Sequence, residues 1–217
     1  MEILELTREK GKLFRLLLDD GQQLWLHADL VAEEGLCRGD SLDAEQIAAL
    51  KYKAAEHRAF EYALYLLERR GFSYRELYDK LMGAKNAQEN AVEAALERLT
   101  RIGLLDDARY AQQLARHYVE GKRYGIRRAA FEMKRHGLTQ NDVDDALAEY
   151  DDPERISAML LELLQKKYAR YLTDPDDRKS VEKVTAALVR RGFTFQQVRY
   201  ALEDYYAWAE EQRDADI

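Results

Sequence analysis

The chain is poor in the residues that staple, interrupt or anchor a fold, and each shortage excludes something. It has a single cysteine, Cys37, so neither an internal disulfide nor a cysteine-built metal site can form, which fits a reducing compartment. Cys37 has no activating partner nearby in sequence and is expected to be a small packed residue. Only two prolines, Pro153 and Pro175, occur in 217 residues; with Ala, Leu, Glu, Arg and Lys abundant, propensity favours long helices. No apolar run approaches the ~20 residues of a membrane helix, and the opening MEILELTREKGK lacks the apolar core of a signal peptide. A cytoplasmic protein without membrane contact is expected. The glycine-rich phosphate loop of the Walker type is missing, so ATP hydrolysis is not expected. His27, His57, His117 and His136 are scattered, with no pair four residues apart, so no metal site and no cofactor are expected.

What is present is charge and helical pattern. The formal net charge is −7, which disfavours a bare nucleic-acid binder, but its distribution is uneven. Residues 1–50 carry 5 basic and 11 acidic side chains, whereas residues 101–140 carry 9 basic and 4 acidic. An anionic partner would dock on that middle stretch.

The first fifty residues contain three short apolar runs, around Ile3–Leu6, Leu13–Leu18 and Leu24–Leu26, separated by Glu9-Lys10-Gly11 and Asp19-Asp20-Gly21. Turn residues between short apolar runs predict hairpins. A three-stranded antiparallel sheet is expected, then a short helix near Asp29 to Glu34 and a turn through Gly35 and Gly39. Such a sheet is marginal alone and calls for a helix to pack on.

From Ser41 onward the periodicity is helical, and it repeats. Gly137 is followed by Leu138, Thr139, Val143 and Ala146-Leu147; Gly192 is followed at the same offsets by Phe193, Thr194, Val198 and Ala201-Leu202. A looser first copy has Lys85 where the glycine would stand, and Val92 and Ala95-Leu96 one residue late. Gly137 and Gly192 follow Lys134-Arg135 and Arg190-Arg191, the signature of a helix C-terminus with cations at its negative end. Thr139 with Asp142, and Thr194 with Gln197, have the spacing of a capping box. Val143, Ala146, Leu147 and Tyr150, and again Val198, Ala201, Leu202 and Tyr205, form apolar stripes. Leading helices at about 54–70, 107–120 and 154–171 complete three trihelical units.

The fold expected is mainly α: three tandem three-helix, helix-turn-helix-like repeats in an elongated array behind a small N-terminal antiparallel β element. Its boundaries are a β-hairpin or sheet element with short helix over 1–50, repeat 1 over 51–104, a basic repeat 2 over 105–151, and repeat 3 with an acidic tail over 152–217. Hinges are expected at Leu104 to Asp107 and Asp151 to Pro153, and a loosely structured tail from Asp214. Asp106-Asp107 invites reading as a metal or acid–base pair, but no third ligand lies near. The simpler account has Gly103 ending one helix, Leu104 and Leu105 plugging an interface, and Asp106 capping the next helix.

Several of these strings in this order resemble the RecX regulators of the bacterial RecA recombinase: LLERRGFSYRELYDKL at 66–81, GLLDDARYA at 103–111, GKRYGIRRAAFEMKRHGL at 121–138 and LVRRGFTFQQVRYAL at 188–202. The resemblance spans about residues 51–205. It departs where Ile126 stands in place of the family's frequent proline, and residues 1–50 have counterparts in only part of the family. It implies a non-enzymatic regulator, usually an inhibitor, that binds the groove of the RecA–single-stranded DNA filament. Such a protein limits filament extension, ATP hydrolysis, strand exchange and co-protease activity, and so modulates DNA repair, recombination and the SOS response. Neither a cofactor nor a small-molecule substrate is implied.

The residues themselves point to one surface. On a helix over Ile126 to His136, the residues Ile126, Ala129, Ala130 and Met133 share one arc, and Arg127, Arg128, Lys134 and Arg135 fall opposite with Phe131 among them. Lys122 and Arg123 precede the helix. This basic surface around an aromatic suits an acidic protein groove or a phosphate backbone; the alternative is a solvated face with Phe131 tucked against a neighbouring unit. Sequence-specific reading by a helix-turn-helix is disfavoured, because Asp142, Asp144, Asp145 and Glu149 leave the third helix of repeat 2 acidic. A general nucleic-acid-binding helical repeat protein is the alternative function, and weak direct DNA contact through the basic segment is compatible with either. The 14 tyrosines are expected in helix seams rather than as a stacking platform for bases.

Overall fold

A computed structural model describes residues 1–215. These residues form two compact units, Met1–Asp106 and the chain from Asp107 onward. In the first, β1 (Ile3–Lys10), β2 (Leu13–Leu18) and β3 (Gln23–His27) make an antiparallel meander in the order β1-β2-β3. Leu16 stands opposite Leu6 on one side and Leu24 on the other. Alternation decides the faces: Leu16, Leu18, Leu24 and Leu26 are buried, while Arg15 points outward to Glu9 at 2.8 Å and Glu5 at 3.3 Å. Gly11 and Gly21 take positive φ in the two turns, as tight hairpins require.

A short helix α1 (Ala28–Glu33) follows, then α2 (Ala44–Leu67), α3 (Tyr74–Met82) and α4 (Glu89–Arg101). The leading helix expected at about 54–70 starts earlier, because Asp43 and Gln46 form a reciprocal capping box. It therefore serves two cores. Ile47, Leu50 and Ala54 cover the sheet, whereas Phe60 and Ala63 pack with Leu77, Leu81, Val92, Ala95, Leu96 and Leu99 of α3 and α4. Leu105 closes this second core, but Leu104 is 48% exposed, so only one of the two leucines acts as a plug. In the first repeat the left-handed residue between α3 and α4 is Asn86, with φ 59°, beside the Lys85 matched to the glycine. Asparagine tolerates that conformation better than most residues.

The second unit holds α5 (Asp107–Arg116), α6 (Ile126–Arg135), α7 (Gln140–Leu147), α8 (Pro153–Leu163), α9 (Arg178–Arg190) and α10 (Phe195–Ala215). A π-helical turn over His117–Gly121 extends α5, and another over Leu164–Tyr168 extends α8. The glycine stops and threonine starts are present. Gly137 and Gly192 have φ of 75° and 99°, Thr139 and Asp142 cap each other reciprocally, and so do Thr194 and Gln197 at 2.8 and 3.1 Å. Both apolar stripes are buried, from Val143 to Tyr150 and from Val198 to Tyr205.

Four expectations need correction. The hinge at Asp151 to Pro153 falls inside a compact unit: Ile126 and Met159 pack against the cores of both repeats, and Asp152 caps α8 through the N–H groups of Glu154 and Arg155. Of the tail expected from Asp214, residues 214 and 215 belong to α10, which runs to Ala215; residues 216–217 lie outside the described residues. Cys37 is exposed, because the buried member of its turn is the preceding Leu36. Tyrosines divide: Tyr110, Tyr150 and Tyr205 are buried in seams, but Tyr65, Tyr171 and Tyr200 are exposed. Among the described residues no helix is long and apolar enough to cross a membrane.

Candidate partner-binding site

Helix α6 begins at Ile126 with Gly125 as its N-cap, and its apolar side is set by Ala129 and Met133, both fully buried, with Ile126 and Ala130 half-buried. That orientation turns Arg127, Phe131, Lys134 and Arg135 outward. Phe131 is 58% exposed, so it is not tucked against a neighbouring unit. Ile126 holds the first helical position, where a proline's missing N–H costs nothing; here the side chain serves both cores of the unit.

The seven candidate residues are not equivalent. Glu132, largely buried among them, takes Arg128 at 2.6 Å and Arg135 at 3.1 Å. Arg128 also lies within 6 Å of the Tyr124 and Phe131 rings, the range of a cation–π contact. Arg123 pairs with Glu162 of α8 at 3.2 Å; Lys166 first and Arg123 second hold that carboxyl below the usual carboxylate value. Lys122, Arg127 and Lys134 are exposed and make no ion pair among the described residues. Free cations on a surface keep their full field for an incoming anion, whereas paired ones have spent part of it.

Repeat 3 holds the start of this site in place. The Gly125 N–H donates to the Arg191 carbonyl at 2.8 Å, and the Arg191 guanidinium donates to the carbonyls of Lys122 and Arg123 at 2.9 and 3.2 Å. These bonds hold Arg123 in a left-handed conformation, φ 55°, that a non-glycine residue adopts only under constraint. The sequence marked Arg190-Arg191 as a helix end, and this second use of Arg191 was invisible to it. Also missed was Phe195, 67% exposed at the start of α10. Its spacing from Val198 assigns it to the buried stripe, and only its place at the helix tip leaves it uncovered.

Helix α7 carries Asp142, Asp144 and Asp145 and no cation, so the helix that follows the turn in this repeat is unsuited to phosphate. The histidines are not all scattered: His27 and His57 stack with ring centroids 4.2 Å apart, and burial, followed by the neighbouring His27, lowers the His57 pKa below the ordinary histidine value.

Comparison with known proteins gives a consistent result. A family description named "RecX, second three-helix domain" matches residues 106–147, and "RecX, third three-helix domain" matches residues 154–202. The chain is 33% identical over 152 residues to the regulatory protein RecX of Vibrio campbellii, covering 70% of this chain and 94% of that protein. It is 24% identical over 212 residues to that of Enterococcus faecalis, covering 98% of this chain and 79% of that one, residues 1–50 largely included. A crystal structure titled as regulatory protein RecX shares the fold with a TM-score of 0.72 at 23% identity, over 93% of this chain and 98% of the other. With its repeated three-helix units and a relative matched over nearly its whole length, the chain belongs to the RecX family.

Proposed function

We propose that this protein is a non-enzymatic regulator, in the inhibitory sense, of the RecA recombinase, acting by binding in the groove of the RecA filament on single-stranded DNA. Binding there limits filament extension, ATP hydrolysis, strand exchange and co-protease activity, and so modulates DNA repair and the SOS response in the cytoplasm. The observation that carries the reading is the outward face of α6, where Arg127 and Lys134 flank an exposed Phe131, with Lys122 in the segment before the helix; the three cations make no ion pair among the described residues, on a chain of net charge −7. A local positive face on an acidic protein steers one orientation of approach to an anionic groove and repels others. Phe131 supplies the apolar anchor, with Phe195 a second exposed ring on the helix whose start abuts that of α6. Arg123, Arg128 and Arg135 contribute as a held, partly neutralised rim.

The test titrates the protein into RecA hydrolysing ATP on single-stranded DNA, with binding to naked DNA followed in parallel. Hydrolysis falls at concentrations where naked DNA is unbound, and the Lys122→Glu, Arg127→Glu, Lys134→Glu triple variant, folded by circular dichroism, loses the effect. Full inhibition by that variant removes α6 from the mechanism. Tight naked-DNA binding that weakens steeply with salt, with hydrolysis unchanged, makes the protein a general nucleic-acid binder instead.

A further inference from the structure

The first unit carries a second constellation, unrelated to α6. His27 ends β3 and caps α1, Asp29 stands in the first turn of α1, and His57 projects from α2. Packing α2 across the sheet brings the three together: one ligand atom from each lies within 4.8 Å of the others. His27 Nδ1 and Asp29 Oδ2 are already 3.2 Å apart. Two ligands of one tetrahedral ion, with metal bonds of about 2.0–2.1 Å, sit about 3.3 Å apart. The His57 ring stacks on that of His27, but its ligand nitrogen lies within 4.8 Å of the other two ligand atoms, so a rotation of the His57 side chain out of the stack turns that nitrogen onto the same point. Asp29 is exposed, and both rings line an open groove of about 460 Å³ that also holds Glu61 and Trp25. An ion can therefore reach the site from solvent and keep water at the remaining position.

We propose that His27, Asp29 and His57 form a binding site for a divalent transition-metal ion, with Zn²⁺ the ion best matched to two imidazoles and one carboxylate. The chemistry favours this class. Imidazole nitrogen suits zinc, copper and nickel, whereas magnesium and calcium call for all-oxygen shells. The Asp29 N–H bond to His27 Nδ1 is long, at 3.3 Å, and an incoming ion displaces it at little cost. Because the ligands come from the β3–α1 corner and from α2, a bound ion ties the sheet to the helix that covers it. The same groove is lined by Lys10, Lys12 and Arg58 as well as Glu61, so the affinity rests on the two imidazoles and the Asp29 carboxylate and not on the charge of the groove.

The test uses the untagged, full-length protein after chelator treatment. Calorimetric titration with Zn²⁺ is expected to show one ion per chain, and Co²⁺ to quench the emission of Trp25 in the same groove. His57→Gln, Asp29→Asn and His27→Gln each weaken Zn²⁺ binding by more than about tenfold, the lower bound for even outer-shell partners, while His117→Gln leaves it intact. Circular dichroism of each variant separates loss of ligand from loss of fold; if His27→Gln unfolds, His57→Gln and Asp29→Asn carry the comparison. Absence of saturable Zn²⁺ binding by the wild-type protein, or binding that survives both of those substitutions, overturns the proposal.

Discussion

Gly125 and Gly192, from different three-helix repeats, lie back to back. A Cβ on Gly125 would stand 2.5 Å from the Gly192 carbonyl carbon and oxygen, and one on Gly192 would stand 2.5 Å from the Arg128 amide nitrogen. No real Cβ tolerates such distances to backbone, so the start of α6 and the turn before α10 approach this closely only because both positions lack a side chain. The contact fixes where Lys122, Arg123 and the first turn of α6 sit.

Alanine at either position should therefore be costly. Gly125→Ala pays overpacking alone, about 1–3 kcal/mol, since its φ of −69° is ordinary. Gly192→Ala adds left-handed strain of about 1 kcal/mol at φ 99°. Gly35→Ala, with positive φ but nothing within 4 Å of the added atom, pays only the strain. Urea unfolding of the three variants should rank Gly192 worst and Gly35 mildest; equal losses at Gly35 and Gly192 would mean that the close approach carries no energy.

Glu132 sets the strength of the basic face. It holds Arg128 and Arg135, so Glu132→Gln releases both and makes the face one charge more positive. If α6 meets an acidic groove, the association rate for the filament should rise several-fold at low salt, with a steeper salt dependence. Stopped-flow measurements across a salt series decide it, and a slower association by the variant contradicts the electrostatic role assigned to α6.

Alkaline pH should act through Tyr150. The side chain is buried and its hydroxyl donates to Glu120 at 3.1 Å; burial first, and that carboxylate second, raise its pKa above the tyrosine norm. The folded protein holds this proton more tightly than the unfolded chain, so the contribution is complete below about pH 10 and is lost as pH rises through the raised value. Tyr150→Phe should cost about 1 kcal/mol at neutral pH for the lost hydrogen bond, yet lose less further stability than wild type between about pH 9 and 11. Denaturant midpoints at the two pH values check both halves, and parallel slopes would show that Tyr150 does not titrate differently on folding.

Much of the fold was legible because its signals are local. The hairpin glycines, the reciprocal caps at Thr139 and Thr194, and the stripes ending at Tyr150 and Tyr205 each involve residues within two helical turns, where 3.6- and 2-residue periods govern burial. The basic character of residues 122–135 was legible on the same grounds, as was the arc on which those side chains stand. The sequence by itself thus determined the elements, their faces and the place where positive charge collects. The pairs of Glu132 with Arg128 and Arg135 have helical spacing and are equally local. Only the tertiary structure decided that Glu162 holds Arg123, that Arg191 fastens the loop before α6, that Phe195 and Cys37 face solvent, and that His27 meets His57. Those outcomes depend on which faces come together across long sequence separations, and a pairing of that kind leaves no period in the sequence from which to read it.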